Sequence, residues 1–217
     1  MEFFGYIATA LVAYLLGSIP TGFLVGKARG IDIRTVGSGN IGATNVFRML
    51  GKRLGVLVMI VDMGKGALAV FLLPLLAQRA GFDIGKLQTY DIIAGFAAIC
   101  GHNYTCWLGF KGGKGVATTG GVLFSLITGA SAIGMGVWLI VLALTRYVSV
   151  ASIAAAISLP IGVWFCNIFR DHPNPDLIIV AAVLGALGIH KHKANIRRLL
   201  NGTEPRFGQK KNSEPST

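Results

Sequence analysis

Charge is scarce in this chain. Only 13% of its 217 residues are Asp, Glu, Lys or Arg, about half the share usual in soluble proteins. With 53% hydrophobic residues, so few charges cannot cover a globule's surface, which excludes an ordinary soluble domain. Acidic residues are the scarcest, nine against twenty Lys and Arg, leaving a net charge of +11. Cysteine is limited to Cys100, Cys106 and Cys166, all in apolar stretches. An odd count without a CxxC pair argues against a disulfide framework or a zinc site. No metal, cofactor or nucleic-acid partner is expected. Met1-Glu2-Phe3 also lacks the basic segment of a cleaved signal peptide, so the first apolar run reads as a retained helix.

What the chain does contain is long apolar runs: 3–26, 90–110, 116–145, 147–166 and 177–190, with 54–77 interrupted only by Asp62 and Lys65. At about 1.5 Å per residue the longer runs cross a hydrocarbon core of ~30 Å. These runs predict an all-α integral membrane protein. The basic segments 27–53, 111–114 and 191–211 should share the cytoplasmic side. That requires an even number of crossings between Lys114 and Lys191, so 116–145 is split at Thr128-Gly129-Ala130-Ser131. The expectation is about seven helices, some short or broken, with the N-terminus outside and the C-terminus inside. Only Arg79, Lys86 and Arg170 then fall outside. Five spans with one re-entrant segment is the alternative. Residues 1–202 read as a single membrane-embedded domain, and 203–217 as a disordered cytoplasmic tail.

Thirty glycines, about twice average usage, cluster partly in two polar loops. The first is Gly37-Ser38-Gly39-Asn40-Ile41-Gly42-Ala43-Thr44-Asn45-Val46-Phe47-Arg48. Glycines allow successive backbone N–H groups to form an anion nest, Ser38, Asn40, Thr44 and Asn45 add neutral partners, and Arg48 adds a planar cationic fork suited to phosphate. The embedded G-x-G-x-x-G is not a dinucleotide fingerprint, because a membrane helix follows where a βαβ unit belongs. The second loop, Phe110-Lys111-Gly112-Gly113-Lys114-Gly115, is not a Walker A loop, but it places Lys111 and Lys114 where a helix begins at Val116, a position that favours anions.

A third stretch, His190 to Glu204, puts His192, Asn195 and Leu199 on one helical face. His192 is expected to titrate near neutral pH and donate to phosphate. Lys191, Lys193, Arg197 and Arg198 read as a basic helix end lying on anionic lipid. Asp62 and Lys65, at i and i+3, are expected to pair structurally, and His102 to be a structural histidine. Ser149 and Ser152 follow Arg146-Tyr147, where serines in membrane helices usually bond their own backbone. Gly17-Ser18-Ile19-Pro20-Thr21-Gly22 reads as a broken helix near the same face.

GSIPTGFLVGK, GSGNIGATNVFR, DMGKG, FKGGKGVAT and HKHKANIRRLLNGTE occur in this order in the bacterial acyl-phosphate-dependent glycerol-3-phosphate acyltransferases, which the chain resembles from about Gly17 to Glu204. The resemblance implies acyl transfer from acyl phosphate to the 1-hydroxyl of sn-glycerol 3-phosphate, giving lysophosphatidate and inorganic phosphate. It also implies a cytoplasmic-side site in the bacterial inner membrane. By motif match, Ser38, Arg48, Lys111, Lys114, His192 and Asn195 would carry catalysis. Gly37, Gly39, Asn40, Gly42, Thr44, Asn45, Gly112, Gly113, Ser149 and Ser152 would bind substrate. Thr105 departs from an expected Pro, and Lys191 and Lys193 stand beside the final His where Arg is common. The H-x-x-x-x-D pattern of thioester-dependent glycerophosphate acyltransferases is absent, since His172 to Asp176 is one residue short. The base is then His192 or a substrate phosphate oxygen, with the phosphate favoured. The alternative function is a membrane carrier for small phosphorylated or anionic solutes. A lipid-binding scaffold would leave Ser38, Asn40, Thr44 and Asn45 unexplained.

Overall fold

The protein is described from a computed structural model covering residues 2–82, 87–169 and 173–208. Its apolar runs are helical. In chain order they are α1 (Glu2–Ser18), α2 (Thr21–Lys27), α3 (Ala43–Leu50), α4 (Lys52–Arg79), α5 (Leu87–Asn103), α6 (Val116–Leu126), α7 (Thr128–Thr145), α8 (Val148–Asn167), α9 (Asp176–Lys191) and α10 (Lys193–Leu200).

Three boundaries depart from expectation. The basic stretch 27–53, read as loop, contains α3, whose Asn45 and Val46 are buried. Helix α5 stops at Asn103, not at 110, and a short 3-10 turn at Cys106–Leu108 follows. The chain turns back there through left-handed conformations at Gly109 and Phe110, which no continuing helix tolerates. The split within 116–145 falls at Ile127, one residue before the expected site. Lys86 and Arg170, placed outside by the topology argument, lie beyond the described residues.

Four helical stretches are long and apolar enough to cross a membrane: α1–α2 together, α4, α7 and α8. A fifth is added if α9 and α10, bent by 53°, count as one. Helix α6, with 11 residues, reaches only about 16 Å and cannot span alone. Outward faces are apolar, as Phe71, Ile140 and Leu144 show, each more than 60% exposed. That is the surface a bilayer solvates.

Glycine lets these helices meet backbone to backbone. A Cβ on Gly17 would stand 2.0 Å from the Ala98 carbonyl oxygen, joining α1 to α5, and one on Gly121 would stand 1.9 Å from that of Met63, joining α6 to α4. Gly121→Val is therefore expected to separate α4 and α6 and to lower the thermal unfolding midpoint in detergent by 10 °C or more, on the order of several kcal/mol of overpacking.

The α1–α2 break is closed by the expected buried pair. Lys65 Nζ lies 2.8 Å from Asp62 Oδ1 and donates to the Ile19 carbonyl at 2.9 Å, while Thr21 Oγ1 donates to Asp62 at 3.0 Å. His102 Nδ1 stands 3.6 Å from the same carboxylate. A carbonyl freed by the break thus finds a donor inside the apolar bundle.

Candidate active site

All three sequence motifs meet at one end of the bundle. The loop before α3, the loop before α6 and the α9–α10 corner surround a cavity of about 250 Å³, lined by Asn40, Gly112, Gly113, Lys114, His190 and Lys191 among others.

The first loop is built by its own polar groups. Gly37 and Gly39 take φ of +62° and +68°. Asn45, 1% exposed, accepts the Ser38 backbone N–H at 2.9 Å and donates to the Ile33 and Val36 carbonyls, each at 3.1 Å. Asn40 Oδ1 accepts the Gly42 N–H at 2.8 Å, and the Gly39 N–H goes to the Val36 carbonyl. Three donors of the expected anion nest, the N–H groups of Ser38, Gly39 and Gly42, are thus engaged within the loop. Asn45 is a staple of the loop. The loop displays the exposed Ser38 and the half-buried Thr44, Asn40 and Arg48.

The glycines of the second loop likewise use their backbone donors within the protein. The Gly112 and Gly113 N–H groups donate to the Asn103 and His102 carbonyls at the end of α5, at 3.2 and 2.9 Å. A Cβ on Gly113 would lie 2.0 Å from His102 Nε2, so the glycines serve close packing on α5. Gly115, at φ +79°, caps α6, whose first-turn N–H groups follow directly after Lys114 without intrahelical acceptors. Within the lysine pair, Lys111 is exposed whereas Lys114 is half-buried and donates to Asn195 Oδ1. Lys114 is the member that faces the site.

At the third motif, Asn195 Nδ2 donates to Glu204 Oε1 at 2.7 Å, and Arg198 Nε to Glu204 Oε2 at 2.7 Å. Glu204, 6% exposed, was given no role from sequence, and Arg198 was assigned to lipid. The structure ties both into the site. The signal was available: Glu204 is the only acid between Lys191 and Lys211. Lys191 also leaves the lipid-facing group. Its ammonium donates to the Asn103 carbonyl at 2.8 Å and sits 4.2 Å from the Tyr104 ring centre. The serines separate too. Ser152 donates to the Val148 carbonyl at 2.8 Å and accepts from Trp138 Nε1 at 3.1 Å, so it is committed to α7–α8 packing. The Ser149 hydroxyl is buried near the Glu204 carboxylate, without a hydrogen bond of full geometry.

Electrostatics follow from this crowding. Removal from water pushes Lys114 down to about 8. Arg198 and Arg48 add to the shift, and Glu204 opposes it. Burial also lowers Arg48, but a guanidinium stays charged. Burial raises Glu204, yet Asn195, Ser149 and Arg198 outweigh it and hold the carboxyl below its ordinary value. His192 departs from expectation. Burial, aided by Lys114, pushes it down to about 4, so it is neutral at pH 7 instead of titrating there. Its Nδ1 lies 2.8 Å from the Gly188 carbonyl. A carbonyl only accepts, so Nδ1 carries the proton and Nε2 keeps a lone pair.

A second, apolar groove of about 650 Å³ runs along α1 and α2, lined by Val12, Leu15, Leu16, Phe23, Trp107 and Leu108 among others. Phe23 and Leu108 pack against the buried cluster of Ile33, Ile41, Val46 and Val58, whose Ile41 follows Asn40, so the groove adjoins the core beneath the loop that borders the polar cavity.

Comparison with known proteins gives a consistent result. The family model for glycerol-3-phosphate acyltransferase matches residues 7–202. A glycerol-3-phosphate acyltransferase of Synechococcus sp. (strain JA-3-3Ab) is 45% identical, over 94% of each chain. One of Clostridioides difficile (strain 630) is 44% identical, over 97% of this chain and all of its own. The crystal structure of PlsY (YgiH), an integral membrane glycerol 3-phosphate acyltransferase in its glycerol 3-phosphate form, is 43% identical. It superposes with a TM-score of 0.79, covering 94% of this chain and 96% of that one. Its lysophosphatidic acid form gives 40% identity and a TM-score of 0.77.

Proposed function

Because the chain belongs to the glycerol-3-phosphate acyltransferase family, we propose that its acyl donor is an acyl phosphate and that Arg48, Lys114, Asn195 and His192 carry the transfer. It is an integral membrane enzyme that acylates glycerol 3-phosphate, which sets aside the solute-carrier reading. The carrying observation for the donor is the cluster of three cations, Arg48, Lys114 and Arg198, at one site whose single carboxylate among the described residues, Glu204, is already held by Asn195 and Arg198. This suits two phosphate groups brought together and leaves no carboxylate to orient a His base.

In the proposed step the 1-hydroxyl oxygen attacks the acyl carbon. The new C–O ester bond forms, the acyl C–O bond to phosphate breaks, and the hydroxyl proton leaves with the inorganic phosphate. His192 Nε2 accepts a hydrogen bond from the attacking hydroxyl and aims it. Lys114 and Arg48 hold the phosphate oxygens and stabilise the developing charge. Ser38, Thr44 and Asn40 complete the polar wall, with Ser149 beside the Glu204 clamp. The apolar groove on α1–α2 takes the acyl chain. The basic segments 27–53, 111–114 and 191–206 all border this end of the bundle, which supports a cytoplasmic site and an outer N-terminus in a bacterial inner membrane. The purified enzyme should form lysophosphatidate and inorganic phosphate from palmitoyl phosphate and glycerol 3-phosphate. Activity confined to acyl-CoA or an acyl carrier protein thioester would overturn the donor.

The lowered Lys114 sets a pH limit. Above about pH 8 the free enzyme loses the ammonium, so kcat/KM for glycerol 3-phosphate should fall on the alkaline side of that value. Lys114→Arg, if active, should remove this fall, because a guanidinium does not titrate there.

A further inference from the structure

After α10 the chain does not run free. The tail was expected to be disordered from residue 203, yet residues 203–208 turn back at Gly202 (φ +67°) and cross the site. Glu204 holds Asn195 and Arg198 as described. The Pro205 carbonyl accepts from the Arg48 guanidinium at 3.2 Å. The Phe207 N–H donates to the Arg146 carbonyl at 2.6 Å, and Arg146 Nη2 donates back to the Phe207 carbonyl at 3.3 Å. The Phe207 ring lies 5.2 Å from that of Phe47, and Arg206 Nε donates to the Tyr147 hydroxyl at 3.1 Å.

These contacts join parts that otherwise pack apart. Helix α3, carrying Phe47 and Arg48, packs on α2 and α4; α8, carrying Ser149, packs on α7 and α9. The strap lies past the family-model match, which ends at residue 202.

We propose that residues 205–207 form a clasp that aims Arg48, with Phe207 as a positioning residue for phosphate recognition. This rests on Arg48 being a phosphate ligand. Phe207 anchors Phe47, its neighbour in α3, while Arg146 fixes the strap's far end. The Pro205 carbonyl occupies one guanidinium N–H. That acceptor is neutral, so the Arg48 charge is not cancelled and the remaining donors keep a fixed direction. Without the ring contact, α3 loses its tie to the α7–α8 junction and the fork samples other directions.

The test is a double-mutant cycle on the full-length enzyme in detergent, with palmitoyl phosphate and glycerol 3-phosphate. Phe207→Ala should lower kcat/KM about tenfold or more, mainly through KM, with the thermal midpoint within a few degrees of wild type. Phe207→Tyr, which keeps the ring, should restore it. In an Arg48→Lys background Phe207→Ala should cost less than about twofold, because the group it aims is gone. An equal loss in both backgrounds, or wild-type kinetics for Phe207→Ala, would overturn the clasp. If Phe207→Ala does not fold, Phe207→Leu is read by the same criteria. An Arg48→Lys enzyme with unchanged kinetics would instead overturn the role of Arg48, a result distinguishable from failure of the clasp.

Discussion

Lys114→Met is expected to lower kcat/KM for glycerol 3-phosphate by about two to three orders of magnitude, the scale of losing one preorganised charged donor at a reacting centre. Methionine keeps the length and apolar stem of lysine but removes the ammonium that reaches Asn195 Oδ1. The fold should survive, because Glu204 keeps its bonds to Asn195 and Arg198. Lys111→Met is the matched control. Its exposed side chain sits in a screened environment, and its loss should cost less than about fivefold. Lysophosphatidate formation at saturating palmitoyl phosphate, with glycerol 3-phosphate varied, reads both variants. Equal losses would mean that the loop contributes only general positive charge.

The second large effect belongs to Glu204. Glu204→Ala leaves the Asn195 amide and the Arg198 guanidinium without their acceptor and adds a net positive charge among Arg48, Lys114 and Arg198. Breaking a buried pair this way is strongly destabilising. Arg198 is about one-third exposed, so the cost is reduced by screening to about 2 kcal/mol. That corresponds to a fall of about 4–8 °C in the unfolding midpoint for a chain of this size. Turnover should fall with it, since Lys114 and Asn195 share the clamp. A pH signature accompanies the fold effect. The folded-state carboxyl lies below its unfolded value, so its stabilisation is present above the ordinary Glu range and is lost as pH falls through the lower folded value. Glu204→Gln should flatten this acid limb of the stability profile. A glutamine variant with the wild-type acid limb would assign the limb to another carboxylate.

Much of this site could be read from residue type alone. Arg48, Lys114, His192 and Asn195 are polar groups in a chain with few of them, and the structure brings their elements to one end of the bundle. What could not be read was how backbone donors are used. A glycine-rich loop looks like an open nest, but whether its N–H groups face a ligand depends on distant acceptors: Asn45 for Ser38, and the end of α5 for Gly112 and Gly113. Those partners are set by tertiary packing, which local spacing does not encode. The same holds for His192. Its residue type suggests titration near neutrality, while burial beside Lys114 keeps it neutral. Helix α5 ends at Asn103, where Thr105 is extended and the Gly112 and Gly113 N–H groups take up the Asn103 and His102 carbonyls, a closure that local spacing does not announce. Helix α3 was hidden because eight residues carry too little periodicity to stand out in a polar, glycine-rich stretch.

Helix α4 carries both members of its buried ion pair, Asp62 and Lys65, one turn apart. During membrane insertion each charge alone would cost about 2.5–3.5 kcal/mol at mid-bilayer. As neighbours on one helix they can neutralise each other before any other segment arrives. A second Lys65 donor meets its acceptor only when the α1–α2 break, which leaves the ribosome earlier, presents the Ile19 carbonyl. An N-to-C order of assembly is therefore expected, in which α4 docks on the broken N-terminal segment and Lys65 meets the Ile19 carbonyl once it has docked.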